Sequence, residues 1–332
     1  MARSFCFVPL LVILTLLLLL LLLISSTSGA AATAALASMH SSGSDTSSNA
    51  TAARLRPGKE LRKYKRIRAM LQKLNKPSLK TIQSPDGDLI DCVASHLQPA
   101  FDHPKLKGQM HLDPPERPKN YNLTVAGTGS SSRSGVGEVA AVVQAWHATG
   151  EECPEGTVAI RRTTEKDLLR ASSLRRYGRK PASRSIRRDS TSSGHEHAVG
   201  YVNNENYYGA KASVNVWSPR IGDPSEFSLS QIWVISGSFG DDLNTIEAGW
   251  QVSPELYGDS NPRFFTYWTT DAYQETGCYN QNCHGFVQTT NKIAIGAAIT
   301  PESVYNGRQF DITMMLWKVT LYFLLKTYLT SY

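Results

Sequence analysis

The stretch Asn244-Thr245-Ile246-Glu247-Ala248-Gly249-Trp250-Gln251-Val252 has the alternation of a β-strand. Successive strand side chains point to opposite faces, so every second residue shares a face. The apolar face holds Ile246, Ala248, Trp250 and Val252. The other face holds Glu247 and Gln251, with only Gly249 between them, so a bound chain could lie across the backbone there. This stretch predicts one core face and one face for chemistry. A solvated glutamate on an exposed face is the competing interpretation.

The second half of the chain consists of short β-branched or aromatic runs separated by Gly, Pro, Asn and Asp. The predicted strands span residues 197–202, 210–217, 229–239, 245–252, 263–269, 285–290, 292–299 and 309–318. Many short strands at regular spacing are typical of an antiparallel β-sandwich. We therefore expect an all-β fold class for this half.

Common catalytic motifs are missing from the sequence. It contains no Gly-x-Ser-x-Gly elbow, no recognisable Ser-His triad pattern and no phosphate-binding glycine loop. The usual serine hydrolase and nucleotide-binding classes are therefore excluded. We expect no cofactor and no metal site.

The N-terminus has the pattern of a secretory signal peptide. Arg3 precedes the uncharged, leucine-rich run Val8–Ile24, and small residues follow from Ser25. We predict a signal peptide over residues 1–29 and a disordered Ala/Ser/Thr-rich leader over residues 30–53. A retained membrane anchor is the alternative. The sequons at Asn49 and Asn122 predict N-glycosylation of a secreted, extracellular protein.

Charge is divided unevenly along the chain. Residues 197–332 hold 7 Lys and Arg against 12 Asp and Glu, and residues 1–196 hold the other 28 against 16. A basic amphipathic helix is predicted between residues 59 and 74, with apolar positions Leu61, Tyr64, Ile67, Leu71 and Leu74. We expect the basic front half to dock on the acidic back half through fields that salt and acid weaken. A merely solvated surplus of cations is the alternative. In a secreted chain this basic character does not indicate nucleic acid binding.

The segment between the two halves mixes helix, strand and loop signals. A short strand is predicted at Leu89–Cys92, and a short helix over residues 165–174 is predicted to be capped by Thr164. Residues 175–188 carry seven Lys or Arg and no core-forming pattern, which predicts an exposed loop. Its basic pairs make it a candidate site for proteolytic separation of the two halves. An ordinary solvated loop fits equally well.

Five cysteines are present, and Cys6 lies within the predicted signal peptide. The remaining four allow three disulfide pairings. Cys278 and Cys283 would close a small local loop, which leaves Cys92 to pair with Cys153. Metal binding is the alternative use of these thiols, but their spacing fits no zinc pattern.

Several sequence words resemble the neprosin family of plant secreted glutamic peptidases. In the second half they are Ile246-Glu247-Ala248-Gly249-Trp250-Gln251-Val252, Tyr257-Gly258-Asp259, Phe264-Phe265-Thr266-Tyr267-Trp268-Thr269, Gly277-Cys278-Tyr279, Gly285-Phe286-Val287-Gln288 and Gly307-Arg308-Gln309-Phe310-Asp311-Ile312. Upstream, Asp91-Cys92-Val93, Gln98-Pro99-Ala100-Phe101-Asp102-His103-Pro104 and Cys153-Pro154-Glu155-Gly156-Thr157 resemble the activation-peptide region of that family.

The resemblance implies a domain plan. Residues 54–196 would form a mixed pro-region, residues 197–318 a partial catalytic β-sandwich with a groove across one sheet, and residues 319–332 a divergent tail. The pro-region would act as an intramolecular inhibitor of the catalytic domain.

The resemblance also implies a site and an activity. Glu247 would be one catalytic glutamate, Gln251 a polarising donor, and Tyr257, Tyr267 and Trp268 the wall of a groove for proline-containing peptides. The second family glutamate lies in a Gly-Gly-Glu word that is missing here. We therefore expect a secreted peptidase that is inactive as this chain, C-terminally truncated relative to the family. A non-catalytic β-sandwich that binds partners in the cell wall or apoplast is the alternative.

Overall fold

The computed structural model describes residues 57–104, 106–108, 143–180, 196–202, 205–238, 242–319 and 322–327. Antiparallel sheets dominate these residues, and helices are few. The helices are α1 (Pro57–Leu74), α2 (Glu165–Arg170) and α3 (Pro254–Tyr257). The strands are β1 (Ser78–Gln83), β2 (Leu89–Ala94), β3 (Val143–Gln144), β4 (Thr157–Arg161), β5 (Gly209–Asn215), β6 (Ser228–Ser236), β7 (Asn244–Val252), β8 (Arg263–Thr269), β9 (Ile299–Thr300), β10 (Asp311–Val319) and β11 (Tyr322–Thr327).

The second half of the chain is an antiparallel β-sandwich, as predicted. One sheet has the strand order β6-β7-β8, and the other has the order β5-β10-β11. The predicted apolar face of β7 enters the core between them: Ala248, Trp250 and Val252 are buried in one cluster with Ile312 and Leu316 of β10. The all-β fold class therefore follows from the alternation that β7 and β10 share.

The N-terminal region (residues 57–180) combines a small sheet with helices α1 and α2. The sheet has the order β1-β2-β4, and β1 and β2 form a hairpin around Asp86-Gly87-Asp88. Helix α1 lies where the apolar spacing predicts it. Its C-terminal half packs through Ile67 against Leu168 of α2 and Tyr177. At the other end of α1, Leu61 and Tyr64 are exposed, so only part of the predicted apolar stripe is used.

Helix α2 confirms the predicted cap but is shorter than predicted. Thr164 is its N-cap: the Thr164 hydroxyl accepts a hydrogen bond from the Asp167 backbone N–H at 3.2 Å, and the Asp167 carboxylate accepts one from the Thr164 N–H at 2.7 Å. The helix ends at Arg170 rather than at residue 174. Ala171 is the C-cap, and its backbone angles of φ −58° and ψ 128° lie outside the helical region, so the predicted extension is wrong.

The N-terminal region and the sandwich share buried contacts. Ala294 and Ala297 lie in a cluster with Trp146 and Ile82 of the N-terminal region. The Gln288 N–H donates a hydrogen bond to the side chain of Gln98 at 2.6 Å. Strands β3 and β9 pair between the same two parts of the chain. The N-terminal region is therefore joined to the sandwich by shared core as well as by surface contact.

Three predicted strands are absent from the described structure or are much shorter. Residues 197–202 are exposed coil with Val202 75% exposed, and among the described residues no strand pairs with them. Residues 285–290 form no strand because the Gln288 backbone and side chain bond to Gln98, Ala159 and Ile293 in place of a ladder. Of the predicted strand 292–299, only its last residue enters β9.

Both predicted disulfides are confirmed. Cys92 pairs with Cys153 and Cys278 pairs with Cys283, so the four thiols are not metal ligands. Neither bond joins the N-terminal region to the sandwich. Among the described residues, no helix is both long and apolar enough to cross a membrane. The predicted signal peptide and leader, the sequons at Asn49 and Asn122, and residues 181–188 of the predicted basic loop lie outside the described residues.

Candidate active site

The second face of β7 lies against the N-terminal region. In the antiparallel register between β7 and β8, Glu247 is opposite Tyr267, and Gln251 is opposite Arg263. These four side chains share one face, with Glu247 and Gln251 about 13 Å apart along the strand. The face is covered: Glu247 is 0% exposed. The interpretation of Glu247 as a solvated residue is therefore wrong.

The two oxygens of the Glu247 carboxylate have different partners. Oε1 accepts hydrogen bonds from the Thr245 hydroxyl at 3.0 Å and from the Tyr273 hydroxyl at 2.9 Å. Oε2 accepts a hydrogen bond from the ammonium of Lys180, with which it forms an ion pair. The protein thus fixes Oε1 with neutral donors from the sandwich and pairs Oε2 with a cation from the N-terminal region.

Four aromatic rings surround the Lys180 ammonium. Nζ lies 4.7 Å from the ring centroid of Tyr267, 5.3 Å from those of Trp233 and Tyr273, and 5.8 Å from that of Tyr279. We call these four rings the aromatic cage. Cation–π attraction and the ion pair together offset the cost of removing the ammonium from water. The Lys180 side chain is only 16% exposed.

A short segment, residues 174–180, carries Lys180 to this position, and we call it the strap. Tyr177 is buried against α1 and α2. The Gly178 carbonyl accepts a hydrogen bond from the Tyr279 N–H at 2.7 Å, and the Lys180 N–H donates one to the Tyr267 hydroxyl at 3.2 Å. A side chain at Gly178 would collide with Asn282. The strap is therefore closely fitted to the sandwich.

The prediction of an exposed basic loop is wrong for part of the strap. Arg175, Arg176 and Arg179 are exposed as expected, but Tyr177 is buried and Lys180 enters the aromatic cage. The sequence pattern failed here because a basic run does not show which cation has a buried carboxylate partner. The pair Arg179-Lys180 is consequently a poor candidate for cleavage.

The far end of the same face is built around Gln251 and Tyr257. The Gln251 amide donates a hydrogen bond to the Tyr257 hydroxyl at 2.9 Å, and the Asn280 amide donates another at 3.1 Å. Gln251 therefore contacts Tyr257 and does not reach the Glu247 carboxylate. Its role as a polarising donor for Glu247 finds no contact in this arrangement.

An ion cluster adjoins Tyr257. The guanidinium of Arg263, 1% exposed, forms ion pairs with Asp259 at 2.5 Å and with Asp88, which comes from the β1–β2 hairpin. Asp88 also pairs with Arg161 at 2.8 Å. Burial lowers the pKa of Arg263, but the hydrogen bonds that Arg263 donates to Asp259 and the charges of Asp88 and Asp259 outweigh it, so the pKa is raised overall. This guanidinium remains charged.

The three residues predicted to form the wall of the groove lie on two different faces of the sheet. Tyr257 and Tyr267 lie on the face of Glu247. Trp268 is opposite Ile246 in the register, which places it on the other face of the sheet. Of the predicted aromatic wall, Tyr267 alone contacts the ammonium beside Glu247.

The tyrosines around Glu247 are held in their neutral form. Burial raises the pKa of Tyr267 to about 12, with a smaller contribution from the Glu247 charge. Burial and the same charge also raise the pKa of Tyr273 and Tyr279. Neutral hydroxyls can donate hydrogen bonds to a carboxylate, as Tyr273 does here. They are therefore donors rather than bases near neutral pH.

Several residues of the site were not predicted from the sequence. Thr245 could have been, since it shares the period-two face with Glu247. Trp233 lies opposite Glu247 in the β6–β7 hairpin, so pairing the two predicted strands residue by residue would have placed it beside Glu247. Tyr273 and Tyr279 come from the loop after β8, and no sequence pattern shows that this loop folds back over the sheet. The described contacts of Glu247 include no second carboxylate.

Two family comparisons cover both parts of the chain. Residues 224–327 match the family described as Neprosin, and residues 81–201 match the family described as Neprosin activation peptide. Glu247 and the whole aromatic cage fall in the first match, while Lys180 and Asp88 fall in the second. The first match continues beyond Lys318 and ends within the predicted divergent tail, where β11 pairs with β10.

Proposed function

The chain belongs to the neprosin family, and from this premise we propose that it is a secreted, neprosin-like protein of the glutamic endopeptidase type whose peptide groove is closed by its own activation peptide. The observation that carries the proposal is the ion pair between Lys180, in the activation peptide match, and the buried Glu247. The Lys180 ammonium occupies Oε2 of Glu247 and fills the aromatic cage, so a peptide cannot reach either of them. The activation peptide would thus act as an intramolecular inhibitor.

The proposed ligand is an extended peptide lying along the face of β7 and β8. Glu247 and Gln251 stand about 13 Å apart, which is the span of four residues in an extended chain. The family resemblance adds proline-containing peptides as the class. The apolar and aromatic side chains of this face suit such a ligand, because proline lacks a backbone donor and relies on ring contacts.

We further propose that this sequence binds peptide without hydrolysing it. Peptide hydrolysis by carboxyl groups needs one deprotonated group to activate water and one protonated group to donate to the leaving amine. Glu247 can serve as only one of these. The sequence lacks the Gly-Gly-Glu word of the second family glutamate. A binding role in the cell wall or apoplast, the second candidate function, would use the same face.

Secretion rests on the N-terminal sequence pattern. Arg3 and the apolar run Val8–Ile24 are typical of a cleaved signal peptide, and the two disulfides suit an oxidising compartment. N-terminal sequencing of protein exported from a eukaryotic host checks this proposal. Retention in the membrane with residues 1–29 intact would contradict it.

The test of latency compares the full chain with a strap variant. Tyr177→Ser combined with Lys180→Ser removes both buried anchors of the strap. Fluorescence anisotropy with a labelled proline-containing peptide should show binding to this variant at least 10-fold tighter than to the wild type. Arg179→Ser, which removes a neighbouring exposed cation, is the matched control and should behave like the wild type.

Mass spectrometry of the same samples tests hydrolysis. Intact peptide after long incubation supports a binding role. Cleavage would overturn the non-hydrolytic part of the proposal, and cleavage that survives Glu247→Gln would also remove Glu247 from the mechanism. If the strap variant keeps its circular dichroism spectrum but binds no peptide in a mixed-sequence library, the groove itself is wrong.

A further inference from the structure

The aromatic cage is built by the sandwich alone. Trp233 comes from β6, Tyr267 from β8, and Tyr273 and Tyr279 from the loop that follows β8. The rings support one another: the centroid of Tyr267 lies 5.7 Å from that of Tyr273 and 4.8 Å from that of Tyr279. Lys180 is the one member of the arrangement that the activation peptide supplies. The site is thus a pre-arranged receptor that holds a lysine side chain.

The carboxylate at the base of the cage is oriented toward a cation. Thr245 and Tyr273 hold Oε1 of Glu247, and Oε2 faces the ammonium. If Lys180 withdrew, a fully buried carboxylate would lose its charge partner, which is costly in a site of low polarity. A second cation would remove that cost. Rings that surround an ammonium are the usual protein device for binding alkylammonium groups.

We propose that the aromatic cage and Glu247 form a binding site for a primary alkylammonium, filled by Lys180 in the latent form and by a lysine side chain of the peptide ligand once the strap opens. The peptide part of this inference rests on the proposed function. In this sequence Glu247 then acts as a counter-ion that selects the ligand. Lysine is favoured over arginine because a compact ammonium fits between four rings more readily than a planar guanidinium fork.

The first experiment tests the cage without any peptide. Lys180→Ala in the full chain should leave the cage empty, and n-butylammonium should then raise the Tm of this variant by about 3 °C at roughly tenfold excess over its Kd. The wild type should not respond, because its cage is occupied. The neutral probe 1-butanol should have no such effect on the variant.

Two further variants make the result specific. Lys180→Ala combined with Glu247→Gln should not respond to n-butylammonium, since the counter-ion is gone. Lys76→Ala removes a lysine that pairs with Asp102 on the surface, and it should not respond either. A response of equal size in Lys76→Ala, or in the Glu247→Gln double variant, would overturn the proposal.

The second experiment keeps Lys180 in the chain, so it stands even if Lys180→Ala fails to fold. Tyr177→Ser alone, which removes one buried anchor of the strap and leaves Glu247 its partner, is titrated with labelled peptides that differ only in one residue: lysine, norleucine, arginine or glutamate. The lysine peptide should bind at least 10-fold tighter than the norleucine peptide. Equal affinities would overturn the lysine site while leaving the peptide groove intact. If n-butylammonium raises the Tm of Lys180→Ala but no labelled peptide binds, the alkylammonium site is supported and the proposed function is overturned.

Discussion

Glu247 illustrates how a charged residue can be fully buried in a strand. Its cost of burial is offset by two hydroxyl donors on one oxygen and an ammonium on the other. The alternation of β7 predicts that Glu247 lies away from the core, and this is confirmed by the core cluster on the other face. The second face is also buried, and one of the residues that cover Glu247 there is Lys180, which is 67 residues away in the chain.

The structure gives a different reason for glycine at position 249 than the sequence pattern does. The sequence pattern indicates an open path for a ligand across the backbone. In the structure, a Cβ at Gly249 would collide with the carbonyl oxygen of Ser230 and with Gln231 on β6. The glycine therefore allows β6 and β7 to approach closely, and through that approach it positions Trp233 beside Glu247.

Gly249→Ala should consequently lower the free energy of unfolding by roughly 1–3 kcal/mol, because strand backbone cannot move aside as a side chain can. Urea unfolding followed by tryptophan fluorescence measures this. Gly200→Ala is the matched control, since nothing lies within 4 Å of a Cβ there. A loss for Gly249→Ala no larger than that of the control would show that β6 and β7 can separate at this point.

At the scale of elements, the strands that make up the sandwich core were largely predictable. β5, β6, β7, β8 and β10 all lie within two or three residues of their predicted bounds, because β-branched and aromatic residues alternate there. The strap was not predictable. Its conformation depends on burial of Tyr177 and on the Glu247 partner, and neither leaves a periodic signal. The same holds for the loop carrying Tyr273 and Tyr279.

The 3₁₀ helix Ala145–Thr149 links the activation peptide to the sandwich through a histidine. The Nδ1 atom of His147 accepts a hydrogen bond from the Gln144 N–H at 3.3 Å, and Nε2 lies 2.9 Å from the Lys292 carbonyl oxygen, to which it donates. Burial lowers the pKa of His147 from its usual 6.5, and the Lys292 hydrogen bond and the Glu152 charge oppose this only in part. The neutral ring is thus the form that fits.

Acid should therefore weaken the link at His147. The folded protein binds a proton at this residue more weakly than the unfolded chain does, so its contribution to stability is complete above about pH 6.5 and is lost as the pH falls through the lowered pKa. Urea unfolding at pH 7.5 and at lower pH, roughly 5, should show a smaller loss of stability in His147→Gln than in the wild type. His96→Gln, at an exposed histidine, should keep the wild-type loss. Equal losses in all three proteins would contradict a role for His147.

Over the whole molecule, charge complementarity takes a different form from the one that the composition predicts. The pair of Lys180 and Glu247 fits the prediction that a basic front half docks on an acidic back half. The cluster of Arg263 with Asp88 has the opposite polarity: the sandwich supplies the cation and the activation peptide supplies the carboxylate. The net charge of each half could not show this. Each ion pair depends on where its two residues lie in the fold and not on the sum of the charges around them.

These ion pairs are also buried, which changes their expected response to salt. Salt screens exposed charges within about a Debye length, roughly 10 Å at 0.1 M, and screens buried pairs much less. The free energy of unfolding of the wild type should therefore change little between about 0.05 and 0.5 M NaCl. A steep fall of the unfolding free energy with salt would instead support docking through exposed surface charges, as the composition predicts.

Asp88→Asn should lower the free energy of unfolding by roughly 3 kcal/mol, because it removes the carboxylate that bridges Arg161 and Arg263 while leaving both guanidiniums buried. The cost stays near the lower end of the range for a broken buried pair, since Asp167 and Asp259 still contact one arginine each. Glu151→Gln is the matched control: it removes a carboxylate paired with Lys80 on the surface, and should cost less than about 1 kcal/mol. Equal costs for the two variants would mean that the Asp88 bridge does not hold the activation peptide to the sandwich, and would leave the shared core as the main attachment.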